Sequence, residues 1–182
     1  MAGELYLAMR AFRTSSPVRA CAIRLGLAGA VFGGSVGFLM TLPTPGQLQA
    51  LRAHQPAHAV GAPDDGAGLP VTRWSTTGGD LRAPHFLGLH ALQALPLGAW
   101  LLERRRRRAT AAGSRDGSAR PVIALGVAWL GLTAVALTQA LRAQPLTAPD
   151  PLTLVAAALV LLAALGIAVS GRLTPRLLPT TR

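Results

Sequence analysis

Four predominantly apolar stretches divide the chain: residues 25–42, 84–102, 121–141 and 152–170. Each is 18 to 21 residues long. At about 1.5 Å per residue a helix of that length crosses a hydrocarbon core of roughly 30 Å. The pattern predicts an all-α integral membrane bundle of four transmembrane helices. Polar segments fill the gaps: an N-terminal flank (1–24), a long loop (43–83), a connection (103–120), a short loop (142–151) and a tail (171–182).

The first span follows a flank containing Arg10, Arg13, Arg19 and Arg24, as a signal peptide would. That flank is long for an n-region, and the apolar run ends at Pro43 and Pro45 rather than at a small-x-small site. The pattern is that of an uncleaved span. Gly26, Gly29, Gly33, Gly34 and Gly37 crowd this helix. Gly29-x-x-x-Gly33 and Gly33-x-x-x-Gly37 align small residues on one face, where another membrane helix can approach closely. A ligand slot beside bare backbone is the other use of such a face.

Charge is sparse, 14% of residues, against about 25% in a typical soluble domain. The net charge of +11 would suit nucleic acid, but the arginines flank spans and the few aromatic residues lie mostly within apolar segments. The expected partner is the lipid bilayer, not nucleic acid. Fourteen arginines fall on one side: four in the N-terminal flank, seven in 103–120 and three in the tail. Arg52, Arg73, Arg82 and Arg142 fall on the other. The positive-inside rule then places both termini on the cytoplasmic side, with 43–83 facing outward. The single cysteine, Cys21, leaves no intramolecular disulfide and no multi-cysteine metal site.

The second span is the unusual one. The stretch Trp74–Gln93, WSTTGGDLRAPHFLGLHALQ, brings an acid, an arginine, two histidines and a glutamine to its outer half. Pro96 lies inside the span and removes a backbone donor, and Trp100 marks its far interface. On a helical wheel Gln93 lies between His85 and His90, and His90 and Gln93 share a face. His90 falls about 9 Å and Gln93 about 13 Å below Pro84, where polar groups need partners. Gln139 and Thr138 at the end of the third span are available, as are Asp80 and Arg82.

Three readings of this constellation stand. One is an interhelical hydrogen-bond cluster that fixes helix register. The second is a ligand-binding pocket at the outer end of the second span, with His90 and Gln93 inside, Asp80, His85 and Gln139 next, and Arg82 at the rim. The third is a haem site with His90 as axial ligand, which requires a second imidazole such as His54 or His58 from the loop. His54 and His58 themselves make a poor helical metal pair, because Pro56 lies between them. No nucleophile or metal motif accompanies Asp80, Arg82 and His85, so no catalytic residue is assigned. The same groups also suit plainer roles, Asp80 as a helix cap and Arg82 as a headgroup anchor.

QALRAHQP at 49–56 echoes QALRAQP at 139–145, each followed by APD, through duplication or through chance in a chain rich in these residues. The pattern GLP…WST..GDLR..HF.GLHALQ..P, with QALR.QPL.APD after the third span, resembles a group of small uncharacterised four-span bacterial membrane proteins. The matching residues are Gly68–Pro70, Trp74–Thr76, Gly79–Arg82, His85–Phe86, Gly88–Gln93, Pro96 and Gln139–Asp150. The resemblance implies a four-span inner-membrane protein and carries no activity with it. The expected function is non-enzymatic, with structural, assembly and sensing roles open. The alternative is a transporter or a haem-binding redox component using His90.

Overall fold

The computed structural model describes residues 16–41, 58–109 and 118–170. Its helices are α1 (Pro17–Leu39), α2 (Arg82–Ala109), α3 (Arg120–Leu141) and α4 (Pro151–Ser170). All four are long and apolar enough to cross a membrane, and the protein is an all-α membrane protein. Strands β1 (Ala59–Val60) and β2 (Gly79–Asp80) pair antiparallel, Ala59 opposite Asp80 and Val60 opposite Gly79.

Two helices are longer than their apolar stretches. α1 starts at Pro17, not at Leu25. Ser16 caps it by accepting the Arg19 N–H at 3.3 Å, and Pro17 stands at the first helical position, where its missing N–H costs nothing. α2 runs on through Glu103–Arg108, which the pattern assigns to a connection. Nothing between Leu102 and Ala109 breaks a helix, and arginine is a good helix former. The helix is also continuous through Pro96.

α1 and α2 form the closest pair, and they meet through backbone. A Cβ on Gly33 would come within 2.6 Å of the Leu89 nitrogen, and one on Gly26 within 2.9 Å of the Ala91 carbonyl. The small residues Gly88, Ala91 and Ala99 line the buried side of α2, together with Leu95. Without a hydrophobic drive between helices in lipid, close van der Waals approach holds such a pair. The glycine face that sequence offered to other membrane helices is therefore covered by α2 of the same chain. Gly34 points away, with nothing near it.

α3 packs on both members of this pair, and α4 packs mainly on α3. The Trp129 indole on α3 donates to the Leu87 carbonyl of α2 at 2.8 Å. One core cluster, Val18, Ala22, Ala99 and Val122, lies toward the arginine-rich end, with Cys21 packed against it. Another, Val36, Leu81 and Ala140, lies under the strands at the opposite end. Large apolar residues such as Leu27, Val31, Leu154 and Leu161 stay exposed, the surface a bilayer covers.

Candidate functional site

Residues 58–81 are ordered into a small cap over one end of the bundle rather than left as a structureless loop. Asp64 ties down its first strand, accepting the backbone N–H groups of His58 (3.1 Å) and Ala59 (2.7 Å). The His58 Nδ1 also lies 3.2 Å from that carboxylate oxygen, but off the line of a hydrogen bond. A turn over 69–74 brings Gly68 opposite Ser75, with Arg73 in the left-handed region at φ 58°. The Ser75 hydroxyl accepts the Gly78 N–H at 3.0 Å, which closes the approach to β2. β2 then rests on the end of α3 by direct backbone contact at Gly79.

Asp80 is the hub of the cap, with only 3% of its surface exposed. Its carboxylate accepts the Ser75 N–H at 2.7 Å and the Arg82 N–H at 2.9 Å. It also accepts the Arg82 guanidinium, Nη2 at 2.7 Å and Nε at 3.0 Å. The same guanidinium donates to the Arg73 carbonyl, so Arg82 locks the turn to the hub. Burial pushes the Asp80 pKa up, but the bonds from Arg82 and from the Ser75 and Arg82 amides outweigh it and hold the carboxyl below its ordinary value. Asp80 thus caps the first N–H of α2.

Gln139 is equally enclosed, at 4% exposure, and donates to the Pro145 carbonyl at 2.7 Å. It shares a crevice with Asp80, Ala83 and Gln144, too narrow to hold a water molecule. Gln144 donates to Asp150 at 3.0 Å, and Asp150 caps α4 by accepting the Thr153 N–H at 2.8 Å. The Thr153 and Gln144 hydrogen bonds, with Arg142 contributing last, hold the Asp150 carboxyl far below its ordinary range. The end of α3 itself is a Schellman motif: Gln144 N–H to Gln139 O, Ala143 N–H to Ala140 O, with Ala143 at φ 57°.

The structure separates the residues that sequence gathered into one pocket. Asp80, Arg82 and Gln139 come together under the cap. His85 turns to α1, its Nδ1 donating to the Gly33 carbonyl at 2.7 Å and its ring lying over Gly37. His90 and Gln93 share a face, as the wheel predicts, but that face is the exposed one. The His90 Nδ1 donates to the Phe86 carbonyl at 2.8 Å and its ring stacks on Phe86 at 3.8 Å between centroids. Trp74 meets Phe86 edge-on at 5.9 Å. Turned with its nitrogen inward, the Gln93 amide donates to the carbonyls of Leu89 at 3.1 Å and His90 at 3.3 Å. Thr138 is exposed and bonded back to Val135.

A bis-histidine haem would need an imidazole facing His90. Among the described residues His85 is turned to α1 and His58 to Asp64; His54 lies outside the described residues. The described residues therefore do not assemble a bis-histidine pair at His90.

Sequence reasoning missed Asp64, Ser75, Gln144 and Asp150 as organisers of the cap. It also missed a clamp at the opposite end, where Glu103 on α2 accepts the Ser16 hydroxyl and, at 2.8 Å, the Arg19 Nε. An isolated acid beside five arginines was the available signal. Comparison of the chain with protein-family models, with curated proteins and with solved structures finds no match.

Proposed function

We propose that this is a non-enzymatic inner-membrane protein of a bacterial cell, acting through contact with another membrane component in a structural or assembly role. One observation carries the reading. The polar groups under the cap, from Asp80 and Arg82 to Gln139, Gln144 and Asp150, are bonded to one another or to backbone and enclose no space for a ligand. His90 and Gln93 stand apart from this cluster, exposed on the outside of α2. Among the described residues, this cluster makes a packed support for the cap rather than a chamber.

The arginine asymmetry, fourteen against four, supports cytoplasmic termini with the cap outward. The motif resemblance supports a bacterial four-span protein. Reporter fusions after Arg120 and at the C-terminus test the topology: both are expected to report cytoplasm, and an external signal at either overturns it.

The haem or transport reading keeps one specific support, the outward imidazole of His90. An absorption spectrum of the purified protein tests it. A Soret band lost in His90→Ala would replace the contact reading with the cofactor reading. Retention of the cellular phenotype in His90→Ala and Gln93→Leu together would remove this face from function altogether.

A further inference from the structure

The last turns of α2 sort their five arginines by direction. Arg106 serves the bundle side, donating to the Ser118 carbonyl just before α3 at 3.0 Å. Glu103, the acid of this end among the described residues, is taken by Ser16 and Arg19 at the start of α1, and Arg107 adds its attraction to it. Arg104, Arg105 and Arg108 are exposed, and Arg105 and Arg108 make no bond to another described residue. Leu95 and Ala99, both fully buried against the bundle, stand nine residues before Arg104 and Arg108, about 180° around the helix. Those two arginines therefore point directly away from the protein, one turn apart, with Arg105 beside them. The Arg104 guanidinium lies over the Trp100 ring at 5.2 Å, which holds it along the helix at the depth of an interfacial tryptophan.

We propose that Arg104, Arg105 and Arg108 form a docking surface for the phosphate headgroup of an anionic phospholipid, in the leaflet at the arginine-rich end. The inference goes beyond the contact reading and does not depend on it. Charge selects an anion, because three guanidiniums face outward and the acid beside them is already bonded to α1. A guanidinium fork matches phosphate oxygens, and neighbours one turn apart can grip one headgroup together. Position selects a lipid. The arginines follow directly on Leu97, Trp100 and Leu101, all exposed on the membrane span. A ligand that reaches Arg104 on its Trp100 ring therefore also meets the hydrocarbon edge. A phospholipid brings phosphate at that depth and acyl chains for the leucines. Nucleic acid brings the phosphate without an apolar part for Leu97 and Leu101. A choline lipid sets a positive charge beside its phosphate, which the guanidiniums oppose.

Native mass spectrometry of the full chain in a neutral detergent tests the proposal, with dioleoylphosphatidylglycerol and dioleoylphosphatidylcholine as competing probes. The phosphatidylglycerol should be retained about tenfold or more over the phosphatidylcholine, the order expected of several arginines at a lipid surface. Arg104→Gln, Arg105→Gln and Arg108→Gln together should remove that preference. Arg172→Gln, Arg176→Gln and Arg182→Gln together take the same charge from the tail and should leave it in place. Thermal unfolding checks that each bundle is intact, and the unsubstituted protein decides by itself: equal retention of the two lipids overturns the proposal. So does a preference that survives the α2 substitutions, or one lost equally with the tail substitutions, which would report net charge alone. Displacement of the phosphatidylglycerol by inorganic phosphate would mark an anion site indifferent to acyl chains, and displacement by a single-stranded oligonucleotide would assign the surface to nucleic acid; either overturns the proposal. All of these results leave the contact reading where it stands.

Discussion

A Cβ placed on Gly88 of α2 would lie 2.5 Å from the Cα of Gly33 on α1. The two helices therefore touch through their main chains, and His85, one turn from Gly88, reaches the Gly33 carbonyl because of it. Gly33→Ala and Gly88→Ala should each destabilise the protein by about 1–3 kcal/mol, since the methyl has backbone rather than a yielding side chain in front of it. Gly34→Ala meets nothing within 4 Å and should be neutral or stabilising by up to about 1 kcal/mol through helix propensity. Thermal unfolding in detergent would show the contrast; equal effects at Gly33 and Gly34 would refute the contact.

The Asp80 hub predicts a pH dependence with a definite sign. Its folded pKa lies below the ordinary carboxylate value, so the unfolded chain takes up the proton first. The stabilisation is complete above about pH 4–5, the ordinary carboxylate range, and is lost as the pH falls through the depressed folded value. Asp150 adds to the same acid limb. Asp80→Asn should lose about 1–3 kcal/mol near neutral pH and flatten the fall in melting temperature on acidification. An unaltered acid limb in that variant would contradict the assignment.

The spans were legible because a bilayer demands about 20 apolar residues in a row, whatever the packing. The inward side of α2 was harder, because lipid-facing and protein-facing positions are both apolar. His90 and Gln93 could be placed on one face, but which face looked inward needed a different signal. Gly88, Ala91 and Ala99 carried it: small residues mark the closely packed side, and His90 and Gln93 each lie two residues from one of them, about 200° around the helix. The start of α1 was also written in the sequence, in Ser16-Pro17, but the arginines beyond it drew attention as a flank. The cap was not legible. Its strands are two residues long, below any periodicity, and its order comes from single carboxylates such as Asp64 and Asp80 bonding backbone several residues away.

Trp129 tests the junction of α2 and α3. Its indole N–H donates to the Leu87 carbonyl at 2.8 Å from a half-buried position. Trp129→Phe keeps an aromatic ring and removes that donor. The expected cost is about 0.5–1.5 kcal/mol in thermal unfolding, with the α1–α2 contact untouched. A Trp129→Phe protein as stable as the parent would mean that this bond contributes nothing.

The sharpest prediction concerns the seat of the cap. A Cβ on Gly79 would fall 1.9 Å from the Ala140 carbonyl oxygen, and both the strand and the helix end it meets are backbone. Neither can yield without moving the whole element. Ala140 is also held by the Schellman motif, since its carbonyl accepts the Ala143 N–H. Gly79→Ala should therefore lift the cap from α3 while the spans, which pack elsewhere, remain assembled. Gly66 provides the control within the same cap: a methyl there meets the Pro63 carbonyl at 3.1 Å and otherwise ordinary contacts. Trypsin reads the difference at Arg73, an exposed residue in a turn that the Leu69–Trp74 bonding and Arg82 hold shut. Cleavage after Arg73 should be about tenfold faster or more in Gly79→Ala, the consequence of shifting cap opening by some 1.4 kcal/mol, and nearly unchanged in Gly66→Ala. Parent-like protection in Gly79→Ala would show that the cap is not seated on α3 through this contact.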